Sequence, residues 1–129
     1  MKKTLLALLP LMLLTGCQSW GPIWSEVTGA RYTKVAIDRS ATTLQDVDGV
    51  AAIPLQGRER AVRMSPGKRV LTLKADPLRP GEIGDPGVRR LTMDIEPCKR
   101  YYVNAQFDSV TSLAWKPVID YVESIAGCA

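Results

Sequence analysis

The sequence contains no histidine, and that absence removes a large block of chemistry. Ser-His-Asp and Cys-His arrangements are impossible without an imidazole, and the commonest general base near neutral pH is missing. Long apolar runs are missing too. The leucine-rich, uncharged run near the start, Thr4 to Leu14, has 11 residues. As a helix it spans about 16 Å, against about 30 Å for a hydrocarbon core, which argues against a transmembrane anchor. Aromatic residues are few, with a single phenylalanine, and no internal repeat or low-complexity tract stands out.

The acidic residues that are present do not assemble a reaction centre in the sequence. Asp94 and Glu96 stand two apart, with Cα atoms about 6.7 Å apart on a strand, a separation at which paired carboxylates can hydrolyse glycosides. Their alternation with Leu91, Met93 and Ile95 marks them instead as a solvated face. Asp46-Val47-Asp48-Gly49 starts like a calcium loop, but no third acid follows and the twelfth position is Gly57, so it reads as a turn. Gly81, Gly84 and Gly87 precede no helix that would aim N–H groups at a phosphate. The expectation is a non-catalytic protein without a cofactor.

Met1-Lys2-Lys3 is a short positive region, and Thr4–Leu14 has the length of a signal-peptide core. The residues that follow, Leu14-Thr15-Gly16-Cys17, resemble a bacterial lipobox. The resemblance implies cleavage before Cys17, a diacylglyceryl thioether on its sulfur and an acylated amine, which together hold the chain on a membrane. Gln18 stands where the inner-membrane retention signal of enteric lipoproteins has Asp, so the resemblance also implies the outer membrane, facing the periplasm. The segments are then 1–16, signal peptide; 17–29, lipidated tether; and 30–129, folded domain. Trp20 and Trp24 in the tether either sit among headgroups or fold back on the domain.

This assignment explains an odd cysteine count. With Cys17 a thioether, Cys98 and Cys128 remain in an oxidising compartment, where a disulfide is the default. The loop it closes has 31 residues, worth about 3.7 kcal/mol in the chain-entropy model. Two thiols without histidine do not make a metal site. Lys2 and Lys3 leave with the signal, so the mature chain carries 15 basic and 13 acidic residues, a net charge of +2. Compartment and charge both argue against nucleic acid as a partner.

The remainder alternates with a period of two. Strands are expected over 31–38, 60–64, 69–75, 89–96 and 100–107. Ser65-Pro66-Gly67-Lys68 is a turn that would join the second and third as a hairpin over 60–75. Residues 76–87 are too rich in Pro and Gly for a regular element. The last segment, 118–126, suits a helix beginning near Pro117 or a strand rich in Val, Ile and Tyr. Pairing it with 100–107 so that paired numbers add to 226 places Cys98 opposite Cys128, which selects the strand. That register also sets Tyr101 against Ile125 and leaves Glu123 beside Val103 on the inner face. The expected fold is all-β, a small antiparallel β-sandwich.

Val35, Ile37 and Asp38, followed by Pro66, Gly67, Val70, Leu71 and Leu73, resemble PEGA-type surface-layer modules, which are transthyretin-like β-sandwiches. Arg39 replaces the Gly that usually follows the Asp, and the Pro-Glu-Gly-Ala signature is absent. The tail resembles uncharacterised small envelope lipoproteins of Gram-negative bacteria. What the first resemblance implies is a module that presents or spaces other components.

Two binding features remain. Arg58, Arg60, Arg63, Lys68, Arg69 and Lys74 form a basic stripe against one acid, Glu59. It either meets an anionic surface or is a solvated face that deters sheet-to-sheet pairing. Tyr102, Asn104 and Gln106 form a polar row, open to a sugar or peptide or else covered by a strand or the tether. The expected role is a structural or protein-binding adaptor in the periplasm, with a module for peptidoglycan glycan or lipopolysaccharide as the alternative.

Overall fold

Nine strands form two sheets in a computed structural model that describes residues 23–32, 36–79, 81 and 84–128. Residues 1–22 lie outside that description, so the signal peptide, Cys17 and Trp20 do too. The strands are β1 (Ser25–Thr28), β2 (Arg39–Ser40), β3 (Thr42–Val47), β4 (Val50–Ala51), β5 (Ala61–Met64), β6 (Gly67–Ala75), β7 (Val88–Ile95), β8 (Lys99–Phe107) and β9 (Trp115–Ser124). No helix occurs among the described residues. The protein is a small, largely antiparallel β-sandwich.

The first sheet is built on β8. Strand β9 pairs along its whole length on one side. On the other side β1 runs parallel beside Arg100–Tyr102 and β2 antiparallel beside Ala105–Gln106, with β5 outside β1. The second sheet has the order β4-β3-β6-β7. Between them pack Val27, Val62, Met64, Leu71, Leu73, Met93, Ile95, Tyr101, Val103, Phe107 and Trp115, each buried. Alternation works as expected in β7 and β8, whose apolar residues face this core. Asp48 and Gly49, with φ of 52° and 82°, are the two central residues of the β3–β4 hairpin, the conformation that a type I′ turn demands. That is the structural use of the Asp46–Gly49 motif.

Several expectations change. The tether does not extend to Gly29, because Ser25–Thr28 form a buried strand of the domain. Only Val27 there is apolar, so the strand carries no hydrophobic alternation. Its polar groups are satisfied instead, Ser25 Oγ by the Glu96 carbonyl and the Lys99 amide. Trp24 folds against the domain, with the Arg63 guanidinium 3.8 Å above its ring. The expected strand over 31–38 is not one at Arg31, Tyr32 or 36–38; residues 33–35, including Val35, lie outside the description. Ile37 is 80% exposed and Asp38 lies in a turn.

The hairpin over 60–75 is not formed either. Strand β5 belongs to the first sheet and β6 to the second, so Ser65-Pro66 crosses between sheets. Both strands turn apolar residues to one core from opposite sides, which alternation alone cannot distinguish from pairing side by side.

The final segment is a strand, in a different register from the one expected. Tyr101 opposes Val122, and Asp120 is an extra residue, so that Val103 opposes Ile119. Glu123 therefore opposes Arg100 on the outer face. Cys98 and Cys128 are bonded, with Cα atoms 5.5 Å apart, but they are not ladder partners. The Ile125 amide donates to the Cys98 carbonyl, and the chain then turns through Gly127 (φ 79°) to bring Cys128 back. That turn consumes the three residues by which the expected register was wrong.

Candidate functional site

Alternation sends Val27 and Tyr101 into the core, and therefore sends Glu26, Thr28, Arg100 and Tyr102 to the outer face of the first sheet. Glu26 is fully buried there. Its carboxylate meets Arg58 Nη1 at 2.8 Å and Arg100 Nε at 3.1 Å. Arg100 Nη1 also donates to Glu123 Oε2 at 2.6 Å, and the Tyr102 hydroxyl donates to the same oxygen at 3.0 Å. A buried carboxylate is tolerated only with such partners, and stripping one away typically costs about 3–5 kcal/mol. The hydrogen bond to Glu123 raises the Arg100 guanidinium above its ordinary value. In return, the hydrogen bond from Arg100 holds Glu123 below the usual carboxylate range. Burial, then the hydrogen bond to Glu123, raises the Tyr102 hydroxyl.

Beside this network lies an open cleft of about 330 Å³, lined in part by Thr28, Ala30, Arg58, Arg60, Arg100 and Tyr102. Arg60 is held by Asp76, Nη2 to Oδ2 at 2.7 Å, and by the Thr42 carbonyl. Three guanidiniums thus face the cleft, but four carboxylates, Glu26, Glu123, Asp76 and Glu59, stand with them, so the cleft carries no net positive charge. Tyr102 also leads out of the cleft to two further rings. Tyr32 stacks on Tyr121 with centroids 3.9 Å apart, and meets Tyr102 edge-on at 5.2 Å. Its hydrogen bond to Tyr121 raises the Tyr32 hydroxyl above its ordinary value. Tyr32 and Tyr121 are 50% and 40% exposed. Such a face can stack and hydrogen-bond a ligand.

The structure divides the two features expected from the sequence. Arg58, Arg60 and Tyr102 come together in the cleft. Arg63 lies nearby on β5, opposite Glu26. Lys68, Arg69 and Lys74 belong to the other sheet, so the stripe is not continuous. Arg69 is held by Asp48 and Ser65, and Lys74 by Asp85. Asn104 is not exposed. It is fully buried, and its amide donates to the Gly29 and Ala30 carbonyls. Gln106 accepts from Arg39 and donates to the Asp38 carbonyl. The chain that follows β1 therefore covers these two residues, leaving Tyr102 as the open end of the row.

Sequence reasoning missed Glu26, assigned to the tether, and Tyr32, Arg100, Tyr121 and Glu123, whose meeting depends on register. It also passed over Ser65 and Lys68, which have the S-x-x-K spacing of serine acyl enzymes. They sit at the crossing between sheets, where Ser65 Oγ accepts from Arg69 Nη2 at 2.5 Å and Lys68 is exposed. Compared with protein-family models, curated proteins and solved structures, the chain matches none.

Proposed function

We propose that this is a non-catalytic, lipid-anchored envelope protein, attached through Cys17 to the outer membrane, that binds another periplasmic protein through the outer face of its first sheet. The observation that carries this reading is the exposed tyrosine cluster opening into an arginine-lined cleft. Tyrosine and arginine are enriched among the residues that dominate protein–protein binding. The absence of net positive charge in the cleft favours a polypeptide over a strongly anionic ligand such as lipopolysaccharide. Reversible cross-linking in intact cells, followed by recovery of the full chain from solubilised outer membranes, tests this. A partner recovered near one-to-one from the parent, and lost with Tyr32→Ala/Tyr121→Ala, is the expected result.

The stacked pair also gives a second reading, because an exposed tyrosine ring suits a sugar face. Recovery of peptidoglycan fragments instead of a protein, again lost with the same variant, would establish the glycan module. Recovery of neither would refute both. A Cys17→Ser form that stays in the membrane fraction would refute the anchor alone.

A further inference from the structure

Strand β9 is the last of the first sheet, and among the described residues it pairs with β8 alone. Beyond Trp115, whose carbonyl accepts from Arg89 Nε at 3.1 Å, its residues leave a row of backbone groups open, the template on which another strand forms. The side chains are open as well. Ile119 and Val122 oppose core residues Val103 and Tyr101, yet are 48% and 41% exposed, because the second sheet does not cover them.

The extra residue at Asp120 dictates what a partner strand must present. Trp115, Pro117 and Ile119 oppose the core-facing Phe107, Ala105 and Val103, and beyond Asp120 it is Val122 that opposes the core-facing Tyr101. Lys116, Val118, Tyr121 and Glu123 line the outer face. Residues directly opposed across two strands share a face, so an antiparallel copy of β9 fits only when paired numbers add to an odd value. A total of 239 sets Lys116 against Glu123 of the second copy, Val118 against Tyr121, and Pro117 against Val122. The first two are favourable cross-strand pairs, the third joins two apolar side chains, and Ile119 falls beside Asp120 of the second copy at the centre. A total of 241 sets Val118 against Glu123, and 237 sets Lys116 against Tyr121. Strand β9 complements a second copy of itself in the 239 register.

We propose that two copies of this chain pair antiparallel through β9 in the 239 register, joining their first sheets into one of ten strands. The two-fold axis is perpendicular to the joined sheet, so both tyrosine clusters come to the same face on either side of the seam. Pro117 forgoes one ladder hydrogen bond. The contact is narrower than the roughly 800 Å² per partner of a standard stable interface. It is therefore read by trapping rather than by the size of the free protein.

Full-length chains carrying Val118→Cys and Tyr121→Cys, with different tags, would be coexpressed and the cells treated with copper–phenanthroline. A disulfide joining the two tags is expected, several-fold stronger than the dimer from either variant alone. Pro117→Cys with Val122→Cys supplies an independent pair on the core side. The proposal is overturned if both combinations, present at parental levels, give no more cross-link than the single variants. This result does not depend on whether a periplasmic protein or a glycan is captured.

Discussion

Replacing Gly29 by alanine should unfold much of the domain's margin, and the reason is space rather than backbone conformation. A Cβ at position 29 would lie 1.8 Å from the Thr42 carbonyl oxygen and 2.5 Å from its carbon. An unstrained C···O contact is about 3.3 Å, so β1 and β3 must part by about 1.5 Å. The junction they would open is densely bonded. The Thr42 amide donates to the Gly29 carbonyl at 2.9 Å, the Gly29 amide to Arg60 at 2.9 Å, and Asn104 Nδ2 to Gly29 at 3.1 Å. Thr42 Oγ1 donates to the Val103 carbonyl at 2.7 Å. Overpacking strain of about 1–3 kcal/mol, with two such bonds lost at about 1 kcal/mol each, gives about 3–5 kcal/mol. At about 5 °C per kcal/mol for a domain of this size, Tm should fall by about 15–25 °C. Thermal and urea unfolding, followed by tryptophan fluorescence, would read both quantities. Gly49→Ala is the control: nothing lies within 4 Å of its Cβ, and it meets only the strain of a φ of 82°, about 1–2 kcal/mol. A Gly29→Ala loss no larger than that of Gly49→Ala would refute the reasoning. So would rescue by Thr42→Ser, because the obstructing atoms are the Thr42 carbonyl and its Oγ1, at 2.6 Å, and serine keeps both.

Two further outcomes follow from bonds already described. Cys98→Ser/Cys128→Ser should lower stability by up to about 3.7 kcal/mol, the chain-entropy figure for the loop, measured by urea unfolding; an unchanged midpoint would show that the bridge constrains nothing. Acid should destabilise the domain. The hydrogen bond from Arg100 depresses Glu123, and those from the Val70 and Gly87 amides depress Asp48 and Asp85. Stability from these groups is fully present above their ordinary values of 4.5 and 3.8 and is lost as pH falls through the lower folded values. Tm should be level from pH 7 to about 5 and fall below about 4, less steeply for Asp48→Asn. A Tm that does not fall between pH 6 and pH 3 would contradict these pairings.

The readable parts of the fold were those where each residue's surroundings repeat every two positions. Leu91, Met93 and Ile95, or Tyr101, Val103, Ala105 and Phe107, declare a core face without help from elsewhere in the chain. Which strands lie side by side is another matter. Val62 and Met64 look the same to periodicity whether β5 pairs with β6 or faces it across the core. Strand β1 was unreadable because only Val27 is apolar, while a serine and a glutamate there are stabilised by partners 32 to 74 residues away in sequence. The candidate site inherits this problem. Arg58, Arg60 and Tyr102 were visible as residue types, but Glu26, Glu123 and Tyr121 join them only through the parallel placement of β1 and the extra residue at Asp120. The disulfide was the most legible long-range contact, although its ladder was not.

Strand β1 begins beside the Cys98–Cys128 bridge. The Trp24 carbonyl accepts from the Cys98 amide, and Cys98 is bonded to Cys128. From there β1 runs inward with β5 on one flank and β8 on the other. Tension applied through the N-terminal segment therefore acts along β1 and must shear two ladders at once, rather than peel one open from its end. The Cys98–Cys128 bridge ties the turn at 125–128 to the same end. A domain threaded this way resists unfolding by a pull on the segment that precedes β1.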